Sequence, residues 1–282
     1  MKQRLYIFFS LAALIAIVAG CQKMQRPALG EYPHDANPPG GPLKFYAAFD
    51  GTTANPLFNA VDSIRANFAA DNPFTAITGI SGKGVQGLDQ KAIKYTSAND
   101  FGKTATSFSL SVWIKNTVPG GGSPQWIFSL AHKDLWSESA MFLLVDHDGA
   151  GSKVDSAVVK FYIDDTKSDD HWFELTGSNR MYRILDNNWH HLVFTYDETT
   201  SQMKIYRDGE LANTLDWTGH GKIQLDPSKL NGLIVGGMNK HASLGGPGDA
   251  WIQSWQGGLD QFRLYSKVLS ASEVLALYNS KL

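Results

Sequence analysis

The stretch His190-His191-Leu192-Val193-Phe194-Thr195-Tyr196 decides the fold class. It alternates with a period of two: His190, Leu192, Phe194 and Tyr196 share one face, while Trp189, His191, Val193 and Thr195 share the other. Successive side chains of an extended strand point to opposite faces, so such a run predicts a strand. Met203-Lys204-Ile205-Tyr206-Arg207 follows, then Asp208-Gly209, then Glu210-Leu211-Ala212. An Asp-Gly pair between alternating runs predicts a hairpin, because both turn residues must tolerate positive φ.

Working outward, the same period recurs. Leu43, Phe45, Ala47 and Phe49 alternate with Lys44, Tyr46, Ala48 and Asp50. Phe108, Leu110, Val112 and Ile114 alternate with Ser109, Ser111, Trp113 and Lys115. Weaker strands read at 126–131, 140–145, 157–163, 171–176, 233–237 and 258–265. Many short strands between Gly, Pro, Asn and Asp turns predict an all-β sandwich or barrel. Ser270-Ala271-Ser272-Glu273 is a capping box, so a short helix carrying Val274, Leu275, Leu277 and Tyr278 closes the chain.

The N-terminus has a different character. Lys2 and Arg4 precede an uncharged run from Leu5 to Ala19. That run is short for a membrane span of about 20 residues and suits a signal-peptide core. It ends in Val18-Ala19-Gly20-Cys21, which resembles the lipobox of bacterial lipoproteins. Residues 1–20 are therefore expected to be cleaved and Cys21 to be acylated. Cys21 is the only cysteine, so no internal disulfide forms. Residues 21–42 hold Pro27, Pro33, Pro38, Pro39 and Pro42 with few aliphatics, and read as a semi-stiff tether from the lipid. Residues 43–282 form the folded domain. The expected location is the cell envelope, lipid-anchored and exported.

Composition narrows the partners. Aromatic residues make up 12% of the chain, with 8 Trp, 15 Phe and 10 Tyr, which leans toward β structure. The formal charge is -2, and removing Lys2 and Arg4 makes the mature chain more acidic. No basic cluster stands out, so nucleic acid and anionic membrane surfaces are poor partners, and membrane attachment falls to the lipid on Cys21.

Four segments in order resemble the laminin-G-like, concanavalin A-type jelly roll. They are Phe49-Asp50-Gly51, residues 107–115, residues 189–197 with 205–209, and Gly257 to Tyr265 with its capped helix. Gly79 to Gly87 resembles a turn before a strand in such domains. The resemblance spans about residues 44–282. It implies two antiparallel sheets, and a structural calcium joining the loop after the first strand to the closing strand. Asp50 and Asp260 match those positions.

Candidate chemistry follows from residue types. Lichenase-type glucanases, which share the fold, place catalytic carboxylates as Glu-x-Asp-x-Glu on one strand face, and this chain has no such triplet. Asp164-Asp165 and Asp169-Asp170 are adjacent pairs that read as solvated loop residues. His190 and His191 read as packing or hydrogen-bonding residues, Asp146-His147-Asp148-Gly149 as a turn, and Trp113 and Trp189 as structural. Trp136, Trp172, Trp217, Trp251 and Trp255 lie in or beside stretches rich in Gly, Asp, Ser and His. Indole rings stack on sugar faces while Asp and Gln take the hydroxyls, so Trp251 and Trp255 with Asp249 and Gln253 form the first candidate glycan site. In the opposing picture, Trp255 packs inward and leaves Trp251 alone. The resulting expectation is a lipid-anchored, non-catalytic carbohydrate-binding domain. A protein-interaction or adhesion module contacting an envelope protein, and a glycoside hydrolase with an atypical site, are the alternatives on the same fold.

Overall fold

The computed structural model describes residues 40–49, 73–135, 137–167 and 170–281. The expected signal peptide, Cys21, nearly all of the expected tether, Asp50, Trp136 and Asp169 lie outside the described residues. In chain order the elements are β1 (Leu43–Ala47), β2 (Thr75–Thr78), β3 (Lys83–Gln86), β4 (Ile93–Tyr95), α1 (Phe101–Thr104), β5 (Phe108–Lys115), β6 (Gln125–His132), β7 (Ser139–Val145), β8 (Ser156–Ala157) and β9 (Val159–Ile163). They continue with β10 (His171–Leu175), β11 (Met181–Tyr182), β12 (His190–Asp197), β13 (Gln202–Arg207), β14 (Glu210–Asp216), β15 (Leu230–Val235), β16 (Gln253–Ser254), β17 (Gly258–Tyr265) and α2 (Ala271–Ser280).

Two large sheets carry the fold, as the alternation predicts. The first runs β14-β13-β12-β5-β17-β3-β2, with β1 also paired to β17. The second runs β10-β9-β7-β6-β15-β4. Pairing within both is antiparallel apart from the short parallel contact of β16 with β6. Strand β17 pairs with β5 on one edge and with two strands on the other: Gly258 and Leu259 pair with β3, and Phe262 to Tyr265 pair with β1. The register shifts between Asp260 and Arg263, where Gln261 takes φ 46°, so a bulge separates the two halves.

The inward faces meet as one core. Phe108, Leu110, Val112 and Ile114 of β5 and Leu192, Phe194 and Tyr196 of β12 pack against Ile127, Leu143, Phe161 and Leu233 of the second sheet. Phe45, Ala47 and Phe49 join them, but Leu43 does not. A register shift between Leu43 and Phe45 turns Leu43 to the outer face, beside Tyr265. On that outer face α2 covers Val193, Tyr206 and Tyr265 with Val274 and Leu277.

Local signals form as their chemistry dictates. Asp208 and Gly209 take φ of 53° and 86°, the paired positive values that a tight hairpin between β13 and β14 requires. At the start of α2, Ser270 Oγ accepts the Glu273 amide at 3.3 Å, and the Ser270 amide donates to Glu273 Oε2 at 2.8 Å. The capping box is thus complete.

One expectation is corrected. Asp164 and Asp165 are buried, not solvated. Asp165 Oδ2 accepts the Gln224 amide at 2.9 Å and bonds His220 Nε2 at 3.0 Å, and the Tyr162 hydroxyl donates to Asp164 at 3.1 Å. Fixed donors replace the water that a buried carboxylate would otherwise need. The partners lie 2 to 59 residues away, and adjacency in sequence gave no hint of them.

Candidate functional site

The outer face of the second sheet is built from alternating residues of four strands. Phe142 of β7 pairs with Tyr162 of β9, and Tyr162 with Trp172 of β10, so the three rings lie in one cross-strand row. Their centroids are 4.4 Å apart for Phe142 and Tyr162, stacked, and 4.9 Å for Tyr162 and Trp172, edge to face. Trp126 of β6 lies 5.8 Å from Phe142, and Trp251 lies 5.8 Å from Trp126 on its other side. Five aromatic rings therefore form a continuous track. Trp126, Phe142 and Tyr162 are its buried floor, with Met238 and Ile252 packed against them. Trp251 stands at one end, 51% exposed, and Trp172 is half-buried at the other.

The next row of the same face is charged. Glu174 of β10 pairs with Lys160 of β9, and Lys160 with Leu144 of β7. Lys160 Nζ lies 3.0 Å from Asp146 Oδ2 and 3.4 Å from Glu174 Oε1. Burial opposes the Lys160 charge, but hydrogen bonds to Asp146 and Glu174 outweigh it and raise its pKa. The row is thus a cation held between two carboxylates, beside an apolar track. On the far flank, Ser129 and Ser139 donate to the Asn239 side chain at 2.9 and 3.3 Å.

The loop carrying Trp251 is held from within. The Ile252 amide donates to Asp249 O at 3.2 Å, and the Gln253 side-chain amide donates to Ala250 O at 2.6 Å. Gln253 Oε1 accepts from Gln90 Nε2 at 2.8 Å, so this side chain braces the loop. Asp249 is exposed beside Trp251.

Of the expected tryptophans, the structure brings Trp172 and Trp251 to one face and separates the others. Trp255 is fully buried in the core between the sheets, where its Nε1 donates to Gly258 O at 3.1 Å. It offers no ring face to a ligand, which corrects its pairing with Trp251. Trp217 lies elsewhere, stacked between His220 at 3.5 Å and His171 at 4.7 Å. Of the expected calcium pair, Asp260 is buried and its Oδ2 accepts the Ile80 amide at 2.8 Å. Among the described residues no group of three or more His, Cys, Asp or Glu is placed to hold a metal.

Sequence reading missed Trp126, Phe142, Tyr162 and the Lys160 row. The signal was present: outward positions of β7, β9 and β10 are Phe142, Tyr162 and Trp172, where a solvated face would carry polar residues.

Residues 89–275 match the family model described as the concanavalin A-like lectin/glucanases superfamily, and the chain belongs to that superfamily. Among curated proteins it is similar to neuronal pentraxin receptor of Mus musculus, 31% identical over 96 residues, covering 34% of this chain and 18% of that one. It is likewise 29% identical over 96 residues to neuronal pentraxin-2 of Homo sapiens, covering 34% of this chain and 21% of that one. The aligned stretch thus spans about a fifth of those relatives. Among solved structures, domain 4 of AbnA, a GH43 extracellular arabinanase from Geobacillus stearothermophilus in complex with arabinotriose, is similar with TM-score 0.54 and 15% identity, covering 84% of this chain and 98% of that one. The binding domain of botulinum neurotoxin DC in complex with SialylT is similar with TM-score 0.57 and 12% identity, covering 86% of this chain and 52% of that one. These likenesses show the shared fold.

Proposed function

We propose that this protein is a non-catalytic carbohydrate-binding domain, anchored to the bacterial cell envelope by lipid on Cys21, that docks a glycan along the outer face of the second sheet. The observation that carries the reading is the aromatic track ending in exposed Trp251, with a charged row beside it. A sugar presents apolar C–H faces to aromatic rings and hydroxyls to charged or amide groups, and this face offers both side by side. The domain of arabinanase bound to arabinotriose and the neurotoxin domain bound to SialylT lend support by analogy of fold.

The arrangement favours binding over cleavage. Retaining glycosidases need one carboxylate protonated as general acid while its neighbour attacks. Here Asp146 and Glu174 are both engaged by the Lys160 ammonium, at 3.0 and 3.4 Å.

Glycan-array binding of the purified protein, followed by titration with the best ligand, tests the reading. Trp251→Ala should weaken binding by about 1–3 kcal/mol, by analogy with stacking of other planar ligands on aromatic side chains. Its melting temperature should fall only slightly, because half of the ring is already in water. Binding unchanged by Trp251→Ala would move the site elsewhere. Failure to bind any glycan, together with capture of a specific envelope protein, would replace the reading with the interaction module.

A further inference from the structure

At the open side of the sandwich, edge strand β14 of the first sheet faces edge strand β10 of the second. Residues 176–182 close this gap and leave a cavity of about 210 Å³. Its apolar lining comes from Leu175, Met181 and Leu211, and its polar lining includes Arg180 and Arg207. This volume lies below the roughly 300–1,000 Å³ of drug-sized sites and suits one sugar unit.

The two guanidiniums differ in how they are occupied. Arg207 Nη1 donates to Tyr182 O at 2.8 Å, its Nε lies 3.5 Å from Asp208 Oδ2, and its plane sits 5.2 Å from the Tyr182 ring. Arg180 forms no hydrogen bond or ion pair among the described residues, and its buried Nε has no acceptor. Arg180 is half-buried, and a buried guanidinium donor without an acceptor is costly. The fork is also held in place. Gly151, at φ 101°, lies so close that a Cβ there would sit 2.5 Å from Arg180 Nη2. Tyr182 and Leu211 at the rim are 59% and 55% exposed, large apolar surfaces at the mouth of a cationic cavity. Among the lining residues Glu210 is the one carboxylate, and it has no hydrogen bond to either arginine among the described residues.

We propose that this cleft is a second saccharide site, selective for a uronate: the sugar carboxylate accepts a forked pair of hydrogen bonds from Arg180, and the ring lies against Tyr182 and Leu211. A planar guanidinium matches a carboxylate in a way that a point charge does not, and the exposed ring and aliphatic carbons take the apolar face of the sugar. The site rests on the reading of the domain as a glycan binder but is separate from the Trp251 track, which lies on the outer face of the second sheet.

Titration calorimetry of the full-length protein with trigalacturonate and with its methyl ester tests this. The two probes share their rings and differ in the charge of the carboxyl groups. The acid should bind more tightly than the ester, with a preference that shrinks as salt rises. Arg180→Gln should weaken the acid on the order of 10- to 100-fold and leave the ester unchanged. Arg180→Lys, which keeps the cation and loses the fork, should recover only part of the affinity and serves where the glutamine variant fails to fold. Trp251→Ala should leave the preference for acid over ester intact. Equal binding of acid and ester, or a preference that survives both Arg180 variants, overturns the site while leaving the Trp251 track standing. Tight binding of a peptide with a free C-terminal carboxylate, in the absence of uronate binding, also overturns it.

Discussion

Acidification should destabilise this domain through His191, and its surroundings set the size of the effect. His191 lies fully buried under α2, its ring 5.0 Å from Trp113, with Nε2 2.8 Å from Ser111 Oγ. Burial pushes its pKa down to about 3, the Arg263 charge adds to the shift, and Asp208 offsets little of it. In the unfolded chain the imidazole returns to about 6.5. The folded value is the lower one, so below pH 6.5 the unfolded state binds the extra proton. The stability that neutral His191 contributes is therefore present above pH 6.5 and lost as pH falls toward 3. Between pH 8 and 4.5 the loss is about 3 kcal/mol, at a slope that approaches about 1.4 kcal/mol per pH unit below pH 6.5. That is a large fraction of an ordinary domain's 5–15 kcal/mol. His190, the next residue, works the other way. Burial opposes its charge, but hydrogen bonds to Asp208 at 2.9 Å and Asp186 at 3.0 Å outweigh that and raise its pKa. Its contribution is full below pH 6.5 and lost as pH rises through the raised value, so the loss below pH 6.5 is left to His191. The assay is urea unfolding of wild type and His191→Gln from pH 4.5 to 8. The variant should be less stable at pH 7, and the two curves should converge by about 3 kcal/mol on reaching pH 4.5. Curves that stay parallel would refute the assignment of the titration to His191.

Two further outcomes concern the ends of the domain. Acyl chains contribute about 0.8 kcal/mol per buried methylene, so Cys21→Ser should abolish fatty-acid labelling in cells and shift the protein from the membrane to the soluble fraction; continued labelling would end the lipoprotein reading. If calcium binds at Asp50 and Asp260, a hundredfold excess over Kd stabilises the fold by about 2.7 kcal/mol. Melting temperature should then rise in calcium for the wild type and not for Asp260→Ala, and identical curves in calcium and chelator would remove the site.

The fold was legible because its determinants are local. Alternation at 108–115 and 190–196, the Asp208-Gly209 turn and the Ser270–Glu273 capping box each act within a few residues, and each formed as read. The candidate site was legible only in part, because its determinants are not local. Trp251 and Trp255 are four apart, which puts two side chains on one side of any uniform strand or helix. The chain between them is not uniform. It turns at Asp249–Ile252, runs as β16 for two residues beside β6, and enters the core where the Trp255 amide meets Gly236 O at 3.0 Å. A tertiary contact 19 residues away therefore decided which ring faces water. The same holds for Asp165, whose burial is made tolerable by His220 and Gln224 from a distant loop.

Arg180 shows the converse. Nothing in Ser178-Asn179-Arg180-Met181 distinguishes it from any surface arginine. Its interest lies in what does not meet it: Glu210 of β14 lines the same cleft without a hydrogen bond to it, and β13 brings Arg207. An ion pair that fails to form across two sheet edges leaves no trace along the chain, since it is a relation between strands 27 residues apart. Sequence pattern therefore identifies what each strand buries against its neighbours, and the aromatic track is the part of the site that this logic reaches, through Phe142, Tyr162 and Trp172. The charged row and the arginine cleft depend on which strands become neighbours or edges. Strand order fixes Lys160 between Asp146 and Glu174, and it brings Arg180 and Arg207 to one cleft. If both surfaces bind sugars, Trp251 and Trp172 at the ends of the track supply stacking and the cleft selects for charge, so affinity and specificity reside on separate faces of one sandwich.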